Sequence, residues 1–183
     1  MNLANKITVV RLCLIPIYIV LLMQPQDGTA VIMLSAAGVF VLASLTDALD
    51  GYIARRYKFI TNFGKFFDTL ADKLLTCSAF IALVGLGRFP AWAAIAVIAR
   101  ELAILGLRAI AADKGVIISA DKFGKIKTAA QMLAITYLTI LPLIYFYPFT
   151  AAAANILTWA VVILTVASGL DYLARNRSLF TDF

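Results

Sequence analysis

Asp47, Asp50, Asp68 and Asp72 crowd into one stretch, TDALDGYIARRYKFITNFGKFFDTLADK, of a 183-residue chain that is 63% hydrophobic and 14% charged. Asp47 and Asp50 are spaced i, i+3, which puts both carboxylates on one helical face. Gly51 and Ala54 continue that face, and Arg55 lies one step round it. Asp68 and Asp72 are spaced i, i+4, and Gly64 extends their stripe backwards. Two antiparallel helices joined by a short basic turn would aim four carboxylates at one another. Unpaired, such a cluster is costly at a membrane edge, and a bound cation removes the cost. Pairing of each aspartate with a neighbouring Lys or Arg is the alternative. Arg56 and Lys58 read as topology anchors. The chain has no histidine, so a metal would be held by carboxylates and carbonyls, which suit Mg²⁺ and Mn²⁺. Proton abstraction then falls to Asp or Glu ahead of Lys or Tyr.

The elements that must carry these residues are apolar segments of roughly 20 residues, the length that crosses a bilayer as a helix. Six can be drawn: Ile7–Met23, Thr29–Leu49, Thr69–Leu86, Pro90–Ala112, Thr128–Tyr147 and Ala151–Leu173. Arg11 and Pro16 weaken the first, which reads as a retained helix and not a cleaved signal. Breaks fall at QPQDG, GLGRFP and YFYPF, where Gly and Pro favour turns. A soluble domain is typically about 25% charged, so the composition predicts an all-α integral membrane bundle of six transmembrane helices, one domain over residues 1–183. Of the 16 Lys and Arg residues only Arg88 falls on one side. The positive-inside rule makes the other side cytoplasmic, with both termini there. Cys13 and Cys77 lie in apolar runs and suggest no disulfide framework.

As a pattern the stretch reads D-x-x-D-G-x-x-A-R, eight residues, then G-x-x-x-D-x-x-x-D. It resembles the signature of the CDP-alcohol phosphotransferase family of integral membrane enzymes. Asp47, Asp50, Gly51, Ala54, Arg55, Gly64, Asp68 and Asp72 all occupy its positions. NLANKITVVRLCLIPI, ADKLL and ARELAILGLRAIAADKGVIISADKFGKIKTAAQM resemble one branch, the enzymes that form phosphatidylglycerolphosphate. The likeness runs from residue 2 to about residue 132 and fades over the last two spans.

The resemblance implies transfer of a phosphatidyl group from CDP-diacylglycerol to glycerol 3-phosphate, with release of CMP. It implies two divalent ions, Mg²⁺ or Mn²⁺, held by Asp47, Asp50, Asp68 and Asp72, with Asp72 also the general base. Two such ions would stabilise the incoming and departing oxygens. It further implies CDP binding by Asp50, Gly51, Arg55, Thr61 and Gly64, with Asn5 and Thr8 beside them. Thr61 reads equally as a turn residue, and Asn5 as an N-cap. Implied partners are the two substrates and membrane lipids, with no nucleic acid and a second copy in a homodimer. The implied location is a bacterial cytoplasmic membrane, with the site at its inner interface.

A phosphorylated acceptor requires a second basic patch. Arg100 and Arg108, eight residues apart, share a helical face, and Lys125 and Lys127 open the next span beside Lys122. Glu101 would hold Arg100 or Arg108 in place. Anchoring to anionic lipid is the alternative use of these cations. These positions favour a phosphorylated acceptor over serine or choline; inositol phosphate, serine and cardiolipin-type acceptors are the alternatives within the family. An intramembrane prenyltransferase lacks the D-G-x-x-A-R element. A divalent-cation transporter would place its carboxylates near mid-membrane, not at one edge.

Overall fold

A computed structural model describes the backbone of residues 3–24, 30–57, 62–113 and 122–177, and the side chains of 7–24, 30–46, 69–112 and 123–177. The described residues form six helices and no strand: α1 (Leu3–Met23), α2 (Ala30–Tyr57), α3 (Asn62–Gly85), α4 (Ala91–Asp113), α5 (Lys122–Ile144) and α6 (Thr150–Arg175). Each corresponds to one apolar segment of the sequence. α2 runs eight residues beyond Leu49, so Gly51, Ala54 and Arg55 are helical, as the shared-face reading requires. α3 begins at Asn62 and already carries Asp68 and Asp72 before its apolar portion.

α1 packs on α2 and α3, α5 packs on α2, α3 and α6, and α4 packs on α3 and α6. Small residues make the close contacts. Ala36, Ala43, Ala79, Ala93 and Ala134 are fully buried, with Tyr18, Phe40, Phe80 and Leu138 between them. Large apolar side chains point outward instead: Val31, Ile95, Leu133 and Ile156 are each about two-thirds exposed. Small residues inside and large ones outside is the arrangement of helices packed in lipid, where burial of large apolar groups is no driving force.

Two helices, Phe123–Ile144 and Thr150–Arg175, are long and apolar enough to cross a membrane by length and composition, and Ile7–Met23 and Ala30–Thr46 are shorter apolar helices. α3 and α4 carry charges well inside their length, Asp72 and Lys73 on one and Arg100, Glu101 and Arg108 on the other. Those charges build the site.

The α3–α4 turn shows how one end is closed. Gly87 adopts a left-handed φ of 68°, which a residue with Cβ tolerates poorly. There the Gly87 and Arg88 amides donate to the carbonyls of Val84 and Leu83, at 2.9 Å each, a helix-terminating turn. Arg88 then donates from Nη1 to the carbonyl oxygens of Leu138 (3.5 Å) and Thr139 (3.1 Å) on α5. Pro142 has no amide hydrogen, so the Leu138 carbonyl, four residues before it, lacks its helical partner. Arg88, alone among cations at its end, supplies a donor there.

Candidate active site

The charged ends of α3, α4 and α5 enclose a cavity of about 420 Å³. Five cations line it, Lys73, Arg100, Arg108, Lys125 and Lys127, against two carboxylates, Asp72 and Glu101. Five minus two leaves a net charge of +3 on the lining, which suits a polyanionic ligand.

Glu101 is the hub. It is 1% exposed and meets Lys73 at 3.0 Å, Arg100 at 3.5 Å and, most closely, Lys127. Burying a carboxylate is tolerable only when it is paired in this way. Gln131, one turn after Lys127 on α5, donates to Glu101 and reaches Thr165 of α6, both at 3.5 Å. Lys73 also pairs with Asp72 at 2.6 Å, so a continuous polar chain runs Asp72–Lys73–Glu101–Gln131–Thr165 across four helices.

Arg108 lies outside that chain. Its Nε–H donates to the Tyr172 hydroxyl at 3.4 Å, and its guanidinium carbon stands 5.6 Å from the centre of the Tyr172 ring. The expectation that Glu101 holds Arg100 or Arg108 therefore resolves to Arg100. Arg100 keeps a buried Nε–H with no hydrogen-bond partner. A buried donor left unmet beside a cavity is unusual in a native protein, and an anion there would satisfy it.

Of the site residues expected from sequence, Asp72, Arg100, Arg108, Lys125 and Lys127 come together around this one cavity. Lys125 is exposed, whereas Lys127 is 2% exposed and committed to Glu101. Thr8 is buried on α1, one turn before the fully buried Arg11, and does not line the cavity. The side chains of Asn5, Asp47, Asp50, Gly51, Arg55, Gly64 and Asp68, and all of Thr61, lie outside the described residues. Sequence reasoning missed Lys73, Gln131, Thr165, Gly169 and Tyr172. Lys73 adjoins a key aspartate, and Gln131 is a polar residue in an apolar span. Both are visible signals; the register of α6 against α4 and α5 leaves none.

Among the described residues no group of three or more acidic or cysteine side chains gathers to hold a metal; three of the four expected ligands lie outside them. The fit is tested on the donor set. Asp72 lines the cavity with its side chain 19% exposed and Lys73 on Oδ2. The helical backbone of α2 and α3 keeps the i, i+3 and i, i+4 faces of the four aspartates. An all-carboxylate set of this kind fits a hard divalent ion.

A helical bundle with a cation-rich cavity beside an aspartate-bearing helix defines a class, and the comparison with known families agrees. The CDP-alcohol phosphatidyltransferase family matches residues 1–167. The chain belongs to that family and is a transferase. Among individual relatives, the CDP-diacylglycerol–glycerol-3-phosphate 3-phosphatidyltransferase of Bacillus subtilis is 42% identical over 187 residues, spanning 96% of this chain and 95% of its own. A probable phosphatidylglycerophosphate synthase of Mycobacterium tuberculosis is 39% identical over 174 residues, 95% of this chain and 81% of its own. The Rickettsia typhi protein, named like that of Bacillus, is 34% identical over 179 residues, 98% of this chain and 99% of its own.

Proposed function

We propose that the protein transfers the phosphatidyl group of CDP-diacylglycerol to glycerol 3-phosphate, giving phosphatidylglycerolphosphate and CMP. The observation that carries this reading is the cavity itself, where five Lys and Arg side chains face two carboxylates beside Asp72. The names of the relatives support glycerol 3-phosphate as the acceptor. Charge alone would serve inositol phosphate equally well, and serine poorly.

In this reading the phosphate of the acceptor enters the cavity and is held by Arg108 and Lys125, with Arg100 offering its unmet Nε–H. Guanidinium groups bind phosphate through paired N–H donors. Lys127 and Lys73 are held on Glu101 and add positive potential. The acceptor hydroxyl is thereby placed against the donor phosphorus near Asp72. Its oxygen forms the new P–O bond, its proton passes to Asp72, and the P–O bond to CMP breaks with the electron pair leaving on CMP. Two divalent ions, Mg²⁺ or Mn²⁺, on Asp47, Asp50, Asp68 and Asp72 would neutralise the pyrophosphate and stabilise both oxygens. CDP would lie over Asp50, Gly51, Arg55, Thr61 and Gly64, with Asn5 and Thr8 beside it.

The acyl chains of the donor explain the setting, because they stay in hydrocarbon while the pyrophosphate reaches the interface. We read the bundle as one domain over 1–183, spanning a bacterial cytoplasmic membrane six times with both termini and the site on the inner side, and working as a homodimer. An acceptor panel tests the activity. Purified protein with CDP-diacylglycerol and Mg²⁺ or Mn²⁺ should release CMP with glycerol 3-phosphate and not with serine. Release with serine alone would overturn the assignment, and metal uptake into vesicles without CMP release would favour a transporter.

A further inference from the structure

We propose that α6 is the positioning wall of the acceptor site, with Tyr172 setting the pose of Arg108 and Gly169 setting the approach of Arg100. The proposal rests on the acceptor reading above. Thr165, Gly169 and Tyr172 are spaced by four and three residues, so they form one helical face. That face is turned inward, since Thr165 and Tyr172 are buried and α6 packs on α4 and α5. Gly169 and Tyr172 lie beyond residue 167, where the family match ends.

Each member of the face meets a charged or polar group of the cavity. Thr165 receives Gln131, which in turn holds Glu101. A Cβ on Gly169 would stand 3.1 Å from Cγ of Arg100 and 3.9 Å from its Nε. The glycine therefore admits the Arg100 stem against the backbone of α6. Tyr172 accepts a hydrogen bond from Nε of Arg108 and offers the guanidinium its ring.

The chemical result is selective. Tyr172 pins Nε and one face of the Arg108 guanidinium, and among the described residues both Nη groups remain unclaimed. Those are the paired donors that a phosphate accepts side by side. Arg108 is otherwise an exposed side chain with several rotatable bonds, and fixing it in advance removes that cost from acceptor binding. Tyr172 touches no reacting atom in this scheme; it is a positioning residue.

The test uses the full-length enzyme in detergent–lipid micelles and follows CMP release. Tyr172→Leu should raise the KM for glycerol 3-phosphate about two- to tenfold, the range set by a partly exposed cation–π contact, with the KM for CDP-diacylglycerol little changed. Tyr172→Phe keeps the ring and should recover part of the loss. Gly169→Ala should raise the acceptor KM as well, by pushing the Arg100 stem. In an Arg108→Ala background, Tyr172→Leu should have no further effect on the acceptor KM, because the partner is gone. An unchanged acceptor KM in Tyr172→Leu, or equal changes for both substrates, would overturn the proposal. So would a full additional loss in the Arg108→Ala background. Absence of CMP release by the unsubstituted enzyme would instead refute the activity.

Discussion

Lys73 stands 2.6 Å from Asp72 and 3.0 Å from Glu101, so the carboxylate proposed as base is not an isolated group. A carboxylate is a weak base for an alcohol, and it serves only if the hydroxyl is delivered to it in the transition state. Asp72→Asn keeps the shape and removes the proton acceptor. Turnover should fall by about 10²–10⁴, the usual contribution of such a group, while binding of CDP-diacylglycerol stays measurable by titration; near-normal turnover would reject the role. Arg108→Ala should raise the KM for glycerol 3-phosphate far more than that for the donor. Equal effects would place Arg108 elsewhere in the cycle. The two lysines of α5 should part company. Lys125 is exposed at the cavity, and its replacement by Ala should weaken the acceptor; Lys127 is buried on Glu101, and its loss should show first as instability.

Between helices, buried charge and a broken helix do the fastening. Glu101 joins α4 to α3 through Lys73 and to α5 through Lys127. Glu101→Ala would leave several cations without their counter-ion, and breaking such a buried pair costs about 3–5 kcal/mol. A large drop in the thermal midpoint in detergent is the expected reading, and an unchanged midpoint would show that water or lipid replaces the carboxylate. At the opposite end, Arg88 serves the carbonyl that Pro142 leaves without an amide partner. Arg88→Met should lose about 1–3 kcal/mol, the cost of an unmet buried polar group, with no change in acceptor KM. Pro142→Ala restores the amide and should shrink that loss. If the penalty is the same in both backgrounds, the carbonyl is not what Arg88 serves.

The two ends of the bundle differ in kind. Trp92 and Trp159 pair at 5.4 Å, and Tyr145, Phe146, Tyr147 and Phe149 stand exposed at the same end, in the manner of an interfacial aromatic belt. From Trp92 to Arg108 along α4 is about 24 Å at 1.5 Å per residue, close to the thickness of a bilayer core. The aromatic end therefore faces outward and the cation-rich cavity inward. With Cys13 and Cys77 replaced by Ala, Phe146→Cys should react with a membrane-impermeant maleimide from outside intact cells, and a C-terminal tag should be cleaved only from inside. Labelling of Phe146→Cys solely in inverted vesicles would reverse the topology.

Much of this was written in the chain. Apolar runs near 20 residues predicted each helix, because length and hydrophobicity are local properties. The aspartate spacings located the reactive stretch, since helical periodicity follows from residue number alone. Arg100, Arg108, Lys125 and Lys127 were recognisable as a basic patch for the same reason, and they do surround one cavity. Their division of labour was not recognisable. Whether a lysine is exposed like Lys125 or buried on a glutamate like Lys127 depends on which helix stands opposite. The part played by α6 was equally hidden, because Gly169 and Tyr172 look like ordinary residues of a last apolar span. Spacing along one helix is fixed by covalent geometry, whereas the register between helices is decided by packing over the whole bundle, and only the tertiary structure brings Tyr172 to Arg108.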